Sequence, residues 1–368
     1  MKIGILTYHR AENYGALLQA YALKTHLEKT MENVSFVDYW PIYHFEHYKI
    51  FSKKKFCSLN LRGRIAYFVH FILWGTRKYI RKYKLSKFMK TYLSISGNIK
   101  YVTEQDICKE FDIVIYGSDQ IWRKQNIHDC KNYNPWYFGS NNIQAHRKIV
   151  YAGSMGVIEV EDADKSFLIG HMNNFAAISV REEDLQILLN KLDFHPQLVI
   201  DPVFLLSKED WEKLVMRQPK LPNTKYILFY NLLNTSESEQ LANSLQEKLK
   251  LPVKEINMKL AFNCLNKKKI STASVEEFIQ LIYNAEFVIT NSFHGVAFSI
   301  IFKKQFYAVG MREKSSRAQS LLNLAGLDDR YIENGEIEKF CDINYKVVDE
   351  RICEFVRCSK DFLKKALS

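Results

Sequence analysis

The sequence predicts an α/β protein made of two doubly wound, Rossmann-like domains facing a cleft. Three observations carry this. At 368 residues the chain exceeds what one hydrophobic core usually organises. Short β-rich runs repeatedly end in small or polar residues and lead towards a helical pattern, the order that gives parallel sheets covered on both faces. The pattern also pauses over a polar, proline-marked stretch, 207–224, and then restarts.

The elements follow in order. Lys2–Thr7 reads as the first strand, and Gly15–Lys29 as a helix with Leu18, Tyr21 and Ala22 near one face. Phe111–Tyr116 is a second clear strand, followed by candidates at Lys148–Ala152, Ala176–Val180 and Gln197–Ile200. Beyond the pause, strands are expected at Tyr226–Tyr230, Val253–Ile256, Glu286–Thr290 and Gln305–Val309. Helices are expected at Ser236–Lys250, Val275–Asn284, Phe293–Phe302 and Ser315–Leu324. The domains are then 1–206, with a basic helical segment at 47–103, and 225–340, joined by a linker at 207–224. Residues 341–368 form a terminal helix placed to pack back on the first domain.

Composition narrows the class. Hydrophobic residues make up 47% and charged residues 25%, the profile of a soluble globular chain. The seven cysteines are scattered without Cys-x-x-Cys or Cys/His ligand spacing, so neither a zinc site nor a disulfide framework is expected. Reduced thiols and the absence of a signal-like leader fit a cytoplasmic protein. The longest apolar run, Ile65–Trp74, is interrupted by His70 and too short to span a bilayer. Net charge is +11, yet the window His47–Thr103 holds 14 Lys and Arg and no Asp or Glu, which leaves the remainder at −3. The chain carries one basic segment and is not basic throughout.

In open α/β sheets, ligands bind beyond the carboxyl ends of the strands. That rule selects Tyr8–Gly15 after the first strand and Gly117-Ser118-Asp119 after the second. It also selects Arg181-Glu182 and Asp201-Pro202 in the first half. In the second half it selects Asn291-Ser292-Phe293-His294-Gly295, then Arg312, Lys314 and Arg317. Hydroxyls, amides and cations there would meet an anionic ligand at helix N-termini. Each group also has a plainer reading. Asn13-Tyr14-Gly15 suits a strand-to-helix turn, and Gly117-Ser118-Asp119 a capping turn. Arg181-Glu182-Glu183 suits a solvated helix start, and His294 a hydrogen-bonded structural residue. From the residues alone the reading stops at a transferase-like cleft for an anionic ligand.

Taken together, these segments resemble the polysaccharide pyruvyltransferase family. The matching pieces are Ile5-Leu6-Thr7-Tyr8-His9-Arg10-Ala11-Glu12-Asn13-Tyr14-Gly15-Ala16 and Tyr116-Gly117-Ser118-Asp119-Gln120-Ile121-Trp122. Ser179-Val180-Arg181-Glu182, Asp201-Pro202-Val203, Thr290-Asn291-Ser292-Phe293-His294-Gly295 and Lys314-Ser315-Ser316-Arg317 follow in family order. The resemblance implies a glycosyltransferase B-like fold, a phosphoenolpyruvate donor, and a sugar or lipid-linked oligosaccharide acceptor in surface or exopolysaccharide biosynthesis. No separate cofactor is called for, and no metal.

Family roles map the donor onto Arg181, His294 and Lys314. Asn13, Gly15, Ser118, Asn291, Ser292, Arg312 and Arg317 complete the expected donor set. His294 is expected to act as general acid, since histidine ordinarily titrates near ~6.5. Asp119 or Glu182 is expected to take a proton from the attacking hydroxyl. Some relatives carry an arginine two residues before the histidine, where this chain has Ser292. Two rival functions share the architecture: a sugar-nucleotide glycosyltransferase and a non-catalytic carbohydrate-binding protein.

In the basic segment, Leu61, Ile65, Phe68 and Ile72 fall on one helical stripe among Lys, Arg and aromatic residues. One reading is a packed helical excursion with a solvated basic face. The other is peripheral adsorption to the anionic inner face of a cytoplasmic membrane. No nucleic-acid-reading motif is present, so nucleic acid is not an expected partner.

Overall fold

In a computed structural model, all residues are described except 96–109, 128–129, 159, 258–268, 311–314 and 338–339. The first sheet contains β1 (Lys2–Leu6), β2 (Asn33–Phe36) and β3 (Phe111–Tyr116). A small antiparallel pair, β4 (Gln125–Ile127) and β5 (Cys130–Asn132), stands apart from it. The sheet continues with β6 (Ala145–Gly153), β7 (Ala177–Val180) and β8 (Gln197–Leu198), in the spatial order β2-β1-β3-β6-β7-β8. All its ladders are parallel, with Ile3 opposite Ile113 and Ile5 opposite Ile115.

The second sheet comprises β9 (Ile227–Asn231), β10 (Val253–Asn257), β11 (Lys269–Ile270), β12 (Phe287–Thr290), β13 (Gln305–Val309) and β14 (Tyr331–Ile332). Its order is β11-β10-β9-β12-β13-β14, again all parallel. Numbered within itself this is 3-2-1-4-5-6, the doubly wound Rossmann order, and the first sheet is its 2-1-3-4-5-6 variant. The α/β class with two doubly wound sheets is therefore present as expected. The chain reverses direction between β1 and β3 in one sheet and between β9 and β12 in the other. Those switch points are where such folds leave a crevice.

Helices follow α1 (Tyr14–Leu27), α2 (Ile42–His47), α3 (Lys53–Ser58) and α4 (Leu61–Tyr92) in the first half. Next come α5 (Asp162–Met172), α6 (Glu183–Asn190) and α7 (Lys208–Met216), then α8 (Ser236–Leu249) and α9 (Val275–Tyr283). The last are α10 (Phe293–Ile301), α11 (Ser315–Ala325) and α12 (Tyr345–Leu367). Sequence caps define several starts. Asn13 accepts from Gly15 N and Ala16 N, and Ser274 and Glu277 form a reciprocal capping box on α9. α1 is buried on nearly every face because it lies between the two units. Its Tyr14 stacks on Phe278 with ring centroids 4.6 Å apart and donates to Ala273 O at 2.8 Å. One hydrophobic cluster runs through Ile3, Ile5, Tyr14, Trp211, Phe278 and Phe298, so the largest core is shared by both sheets.

The stretch 207–224 carries a helix, α7, held by the Ser207–Asp210 capping box. Trp211 is fully buried there, donating Nε1 to Val203 O at 3.0 Å and meeting Phe298 edge-on at 4.9 Å. Strand Gln197–Ile200 keeps only two ladder residues, because Ile200 N instead donates to Ser359 Oγ of α12 at 2.9 Å. α12 touches the second unit where Tyr345 Oη donates to Ser299 O at 3.2 Å. It touches the first where Arg147 donates to Ala366 O at 3.1 Å. Among the described residues no helix is long and apolar enough to cross a membrane.

Candidate active site

The turn after β3 and the strand ends of β6, β7 and β8 bring a compact ionic cluster together. Arg181, the first residue beyond β7, has a side chain only 2% exposed. Its Nε donates to Glu182 Oε1 at 2.9 Å, and Nη1 donates to Ser118 Oγ at 3.1 Å and also to Asp201 Oδ2. Its Nη2 reaches Ser154 Oγ at 3.3 Å, and Ser154 in turn donates to Glu182 Oε1 at 2.7 Å. Burial alone would lower the Arg181 pKa, but Glu182 and Asp201 raise it, so the guanidinium stays charged. Asp201 is fixed from the other side, since its Oδ1 accepts from Val203 N at 3.1 Å. A buried arginine thus sits between two buried carboxylates, an arrangement that is tolerable only because each charge is met and hydrogen-bonded.

The second unit closes the cluster. Ser292 caps α10, and His294 occupies the helix's first turn, 6% exposed, with Nε2 3.9 Å from Asp201 Oδ2. Among the described residues that nitrogen has no hydrogen-bond partner. Gly15 makes the approach possible: a Cβ there would lie 2.0 Å from His294 Nδ1. Burial, with Arg181 and Arg317 adding to it and Asp201 opposing, lowers the His294 pKa to about 4. The imidazole is therefore neutral near pH 7, as the positive end of a helix also favours.

Phe293 stands between two cations, with Arg181 Cζ 4.9 Å and Arg317 Cζ 5.9 Å from its ring centroid. Arg317, in the first turn of α11, makes no ion pair among the described residues. When the Gln120 amide oxygen is turned towards it, Nη2 lies 2.7 Å and Nε 3.2 Å away. Burial and Arg181 push its pKa down to about 10, which leaves it charged at neutral pH. Burial raises the Glu182 pKa against the pull of Arg181 and Arg317, and Glu182 Oε2 lacks a partner. Asp119 is half-buried in the left-handed region (φ 63°), its Oδ1 accepting from Gln120 N at 2.8 Å. Its charge is felt by Arg181, His294 and Arg317.

Ser118, Asp119, Arg181, Glu182, His294 and Arg317 thus converge. Other candidates have local duties. Asn13 caps α1, and Asn291 ties two loops by accepting from Leu232 N at 2.6 Å and donating to Asn231 Oδ1 at 2.9 Å. Ser292 caps α10 by backbone only, and its hydroxyl pairs with Tyr230. Arg312 and Lys314 lie outside the described residues. Two contributors had no assigned role in the sequence reading: Asp201, which links Arg181 to His294, and Ser154, the residue just past β6. Applying the carboxyl-end rule to β6 would have found Ser154. Among the described residues no group of three or more His, Cys, Asp or Glu is placed to hold a metal.

A groove of about 580 Å³ is lined by Asp184, Ser316, Gln319, Asn323 and Tyr331 from α6, α11 and β14. It adjoins the cluster along the chain, since Ser316 precedes Arg317 and Asp184 lies two residues past Glu182.

A family model for polysaccharide pyruvyl transferase matches residues 13–313. Among curated proteins none matches this sequence. Among solved structures, the UDP-GlcNAc 2-epimerase of Methanocaldococcus jannaschii with UDP-GlcNAc and UDP is similar, at TM-score 0.44 and 13% identity, over 97% of this chain and 93% of that one. The E. coli heptosyltransferase WaaC with ADP is similar at TM-score 0.40 and 11% identity, over 96% and 100%. S. aureus MnaA with UDP is similar at TM-score 0.46 and 11% identity, over 97% and 88%.

Proposed function

Because the chain belongs to the polysaccharide pyruvyl transferase family, we propose that it moves the enolpyruvyl unit of phosphoenolpyruvate onto a sugar diol as a pyruvate ketal. The observation that carries this reading is the unpartnered His294 Nε2, buried at the meeting of both switch points between Asp201 and a pair of cations.

The chemistry balances with these groups. A proton adds to the donor's methylene carbon, making a methyl group and an oxocarbenium-like centre. One sugar hydroxyl attacks that centre, and the carbon–oxygen bond to phosphate breaks with its electron pair leaving on phosphate. The second hydroxyl closes the ketal. Of the two hydroxyl protons released, one replaces the proton delivered to carbon and the other leaves on phosphate. His294 Nε2, neutral in the free protein and protonated when the anionic donor raises its pKa, is the proton donor in this scheme, positioned by Asp201. Glu182, with its raised pKa and free Oε2, and Asp119 are the groups that accept hydroxyl protons. Arg181 is so fully engaged with Glu182, Asp201, Ser118 and Ser154 that it orients this machinery more than it grips the donor. Arg317 is the described cation best able to exchange a neutral partner, Gln120, for the donor's phosphate or carboxylate. The neighbouring groove, with amide, hydroxyl, carboxylate and tyrosine side chains, suits the hydroxyls and ring face of a sugar acceptor.

The test is mass spectrometry of candidate glycans incubated with the protein and phosphoenolpyruvate, together with a phosphate-release assay. A ketal mass gain with stoichiometric phosphate is the expected result. Nucleotide release from a sugar nucleotide, without phosphoenolpyruvate consumption, would replace this reading with glycosyl transfer.

A further inference from the structure

Helix α4 has two apolar faces, and only one is covered. Trp74, Leu85, Phe88 and Met89 are buried against the body of the protein. Leu61, Ile65, Phe68, Ile72, Tyr79 and Tyr83 recur at three-, four- and seven-residue spacing and are between 50% and 75% exposed. At 1.5 Å per residue this stripe runs about 33 Å along the helix. Soluble surfaces seldom leave so long a contiguous apolar band facing water.

The charge around it selects the occupant. Lys53, Lys54 and Lys55 on α3, and Arg62, Lys87 and Lys90 on α4, are all exposed. By helical period Arg62, Lys87 and Lys90 border or share the apolar face. No acidic residue lies anywhere from 47 to 103. A second copy of this chain would bring the same cations to the interface and be repelled, whereas an anionic lipid surface meets both the charge and the apolar stripe. We propose that α3 and α4 dock the protein flat on an anionic lipid bilayer, with Leu61, Ile65, Phe68 and Ile72 at the boundary of headgroups and acyl chains. The tyrosines and cations then lie at headgroup depth.

The helix is also coupled to the cleft. Lys82 Nζ lies 3.2 Å from Glu12 Oε1, one residue before the Asn13 cap and three before Gly15. Lys84 Nζ donates to both Glu277 oxygens, at 2.9 and 2.8 Å, tying α4 to α9 of the second unit. A docked α4 holds the cleft mouth near the membrane, where an acceptor carried on a lipid would be presented. The docking itself rests on α4 and not on the donor chemistry, so either can fail alone.

The experiment is flotation of the full chain with vesicles of phosphatidylcholine alone and of equal parts phosphatidylcholine and phosphatidylglycerol. Binding to the anionic vesicles only is expected, and it should fall away as the Debye length shrinks from about 10 Å at 0.1 M salt to about 3 Å at 1 M. Lys53→Gln, Arg62→Gln and Lys87→Gln should each lower the partition coefficient about fivefold. Phe68→Ser with Ile72→Ser should also abolish flotation, and because both sites are exposed the variant keeps its melting temperature and catalytic rate on soluble substrate. Equal flotation with neutral vesicles, flotation with neither, or no effect of the serine pair overturns the proposal. So does a wild-type dimer in solution that the serine pair converts to monomer.

Discussion

Gly15 offers the sharpest perturbation of the site, because a single methyl group can be aimed at the imidazole. It is the second residue of α1, and a Cβ built there would fall 2.0 Å from His294 Nδ1 and 2.5 Å from both Cε1 and Cγ. Atoms pack at about 3.5 Å, so in Gly15→Ala the ring must retreat by about 1.5 Å. A misplacement of about 1 Å at a reacting group costs on the order of 10²-fold in rate. Full loss of a general acid costs about 10²–10⁴-fold, so the expected decrease in kcat lies in that range. Stability should change little. Overpacking costs about 1–3 kcal/mol, while alanine in place of glycine within a helix returns about 1 kcal/mol. Phosphate release at saturating phosphoenolpyruvate gives the rate, and thermal unfolding gives the stability. The double variant Gly15→Ala/His294→Ala should be more stable than the sum of the two single changes, since the methyl group fills space the ring has left. Near wild-type turnover in Gly15→Ala, or strict additivity in the double variant, would refute the placement of His294 against α1.

Asp201→Asn leaves Arg181 short of one buried counter-charge, and a loss of about 3–5 kcal/mol in urea unfolding is expected; an unchanged midpoint would mean the cluster is solvated. Arg317→Gln should raise KM for phosphoenolpyruvate about tenfold to a hundredfold with little change in melting temperature, whereas an effect confined to acceptor KM would move the donor elsewhere. Donor binding should take up protons, because His294, with a pKa lowered to about 4, is neutral at pH 7 and a bound anion raises that value. Affinity then increases as pH falls through the raised pKa and levels off near 4. Calorimetry in buffers of differing ionisation enthalpy reads the uptake, and binding without it would remove His294 as the proton's carrier.

Much of the fold was legible because the parallel strands are continuous apolar runs. β3 (Phe111–Tyr116) and β12 (Phe287–Thr290) are buried almost throughout, and their sequences leave no period-two alternation to confuse them. β2 carries no such signal, being a four-residue edge strand that buries only Phe36 fully. The solvated helix start read at Arg181-Glu182-Glu183 corresponds to α6, which begins at Glu183. The carboxyl-end rule found the right loops, but it could not say which side chains face each other. Arg181 illustrates the limit. Sequence places it where an anion-binding arginine belongs, and only the tertiary structure reveals that Glu182 and Asp201 already occupy its donors. Asp201 lies in a selected loop without an assigned role for the same reason, since only the fold shows it linking Arg181 to His294.

The charge balance of the cluster explains why a lowered histidine pKa and a raised glutamate pKa belong to one design. Arg181 and Arg317 contribute two positive charges, while Asp119, Asp201 and Glu182 bring three formal carboxylates, and His294 is neutral. With Glu182 ionised, the described cluster is net negative and would repel a phosphorylated carboxylate. Burial raises the Glu182 pKa, which moves the cluster towards balance. In the proposed reaction a trianionic donor would tip the local field further negative, and protonation of a buried neutral group would offset it. His294 Nε2, without a hydrogen-bond partner among the described residues, is the buried atom that would take that proton, the one the enol carbon requires in the proposed reaction. Resting neutrality also prevents a permanently charged imidazolium from binding stray anions through the fixed Asp201–Arg181 pair. In the proposed reaction the donor would thus favour its own protonation, through the arrival of its negative charge beside His294.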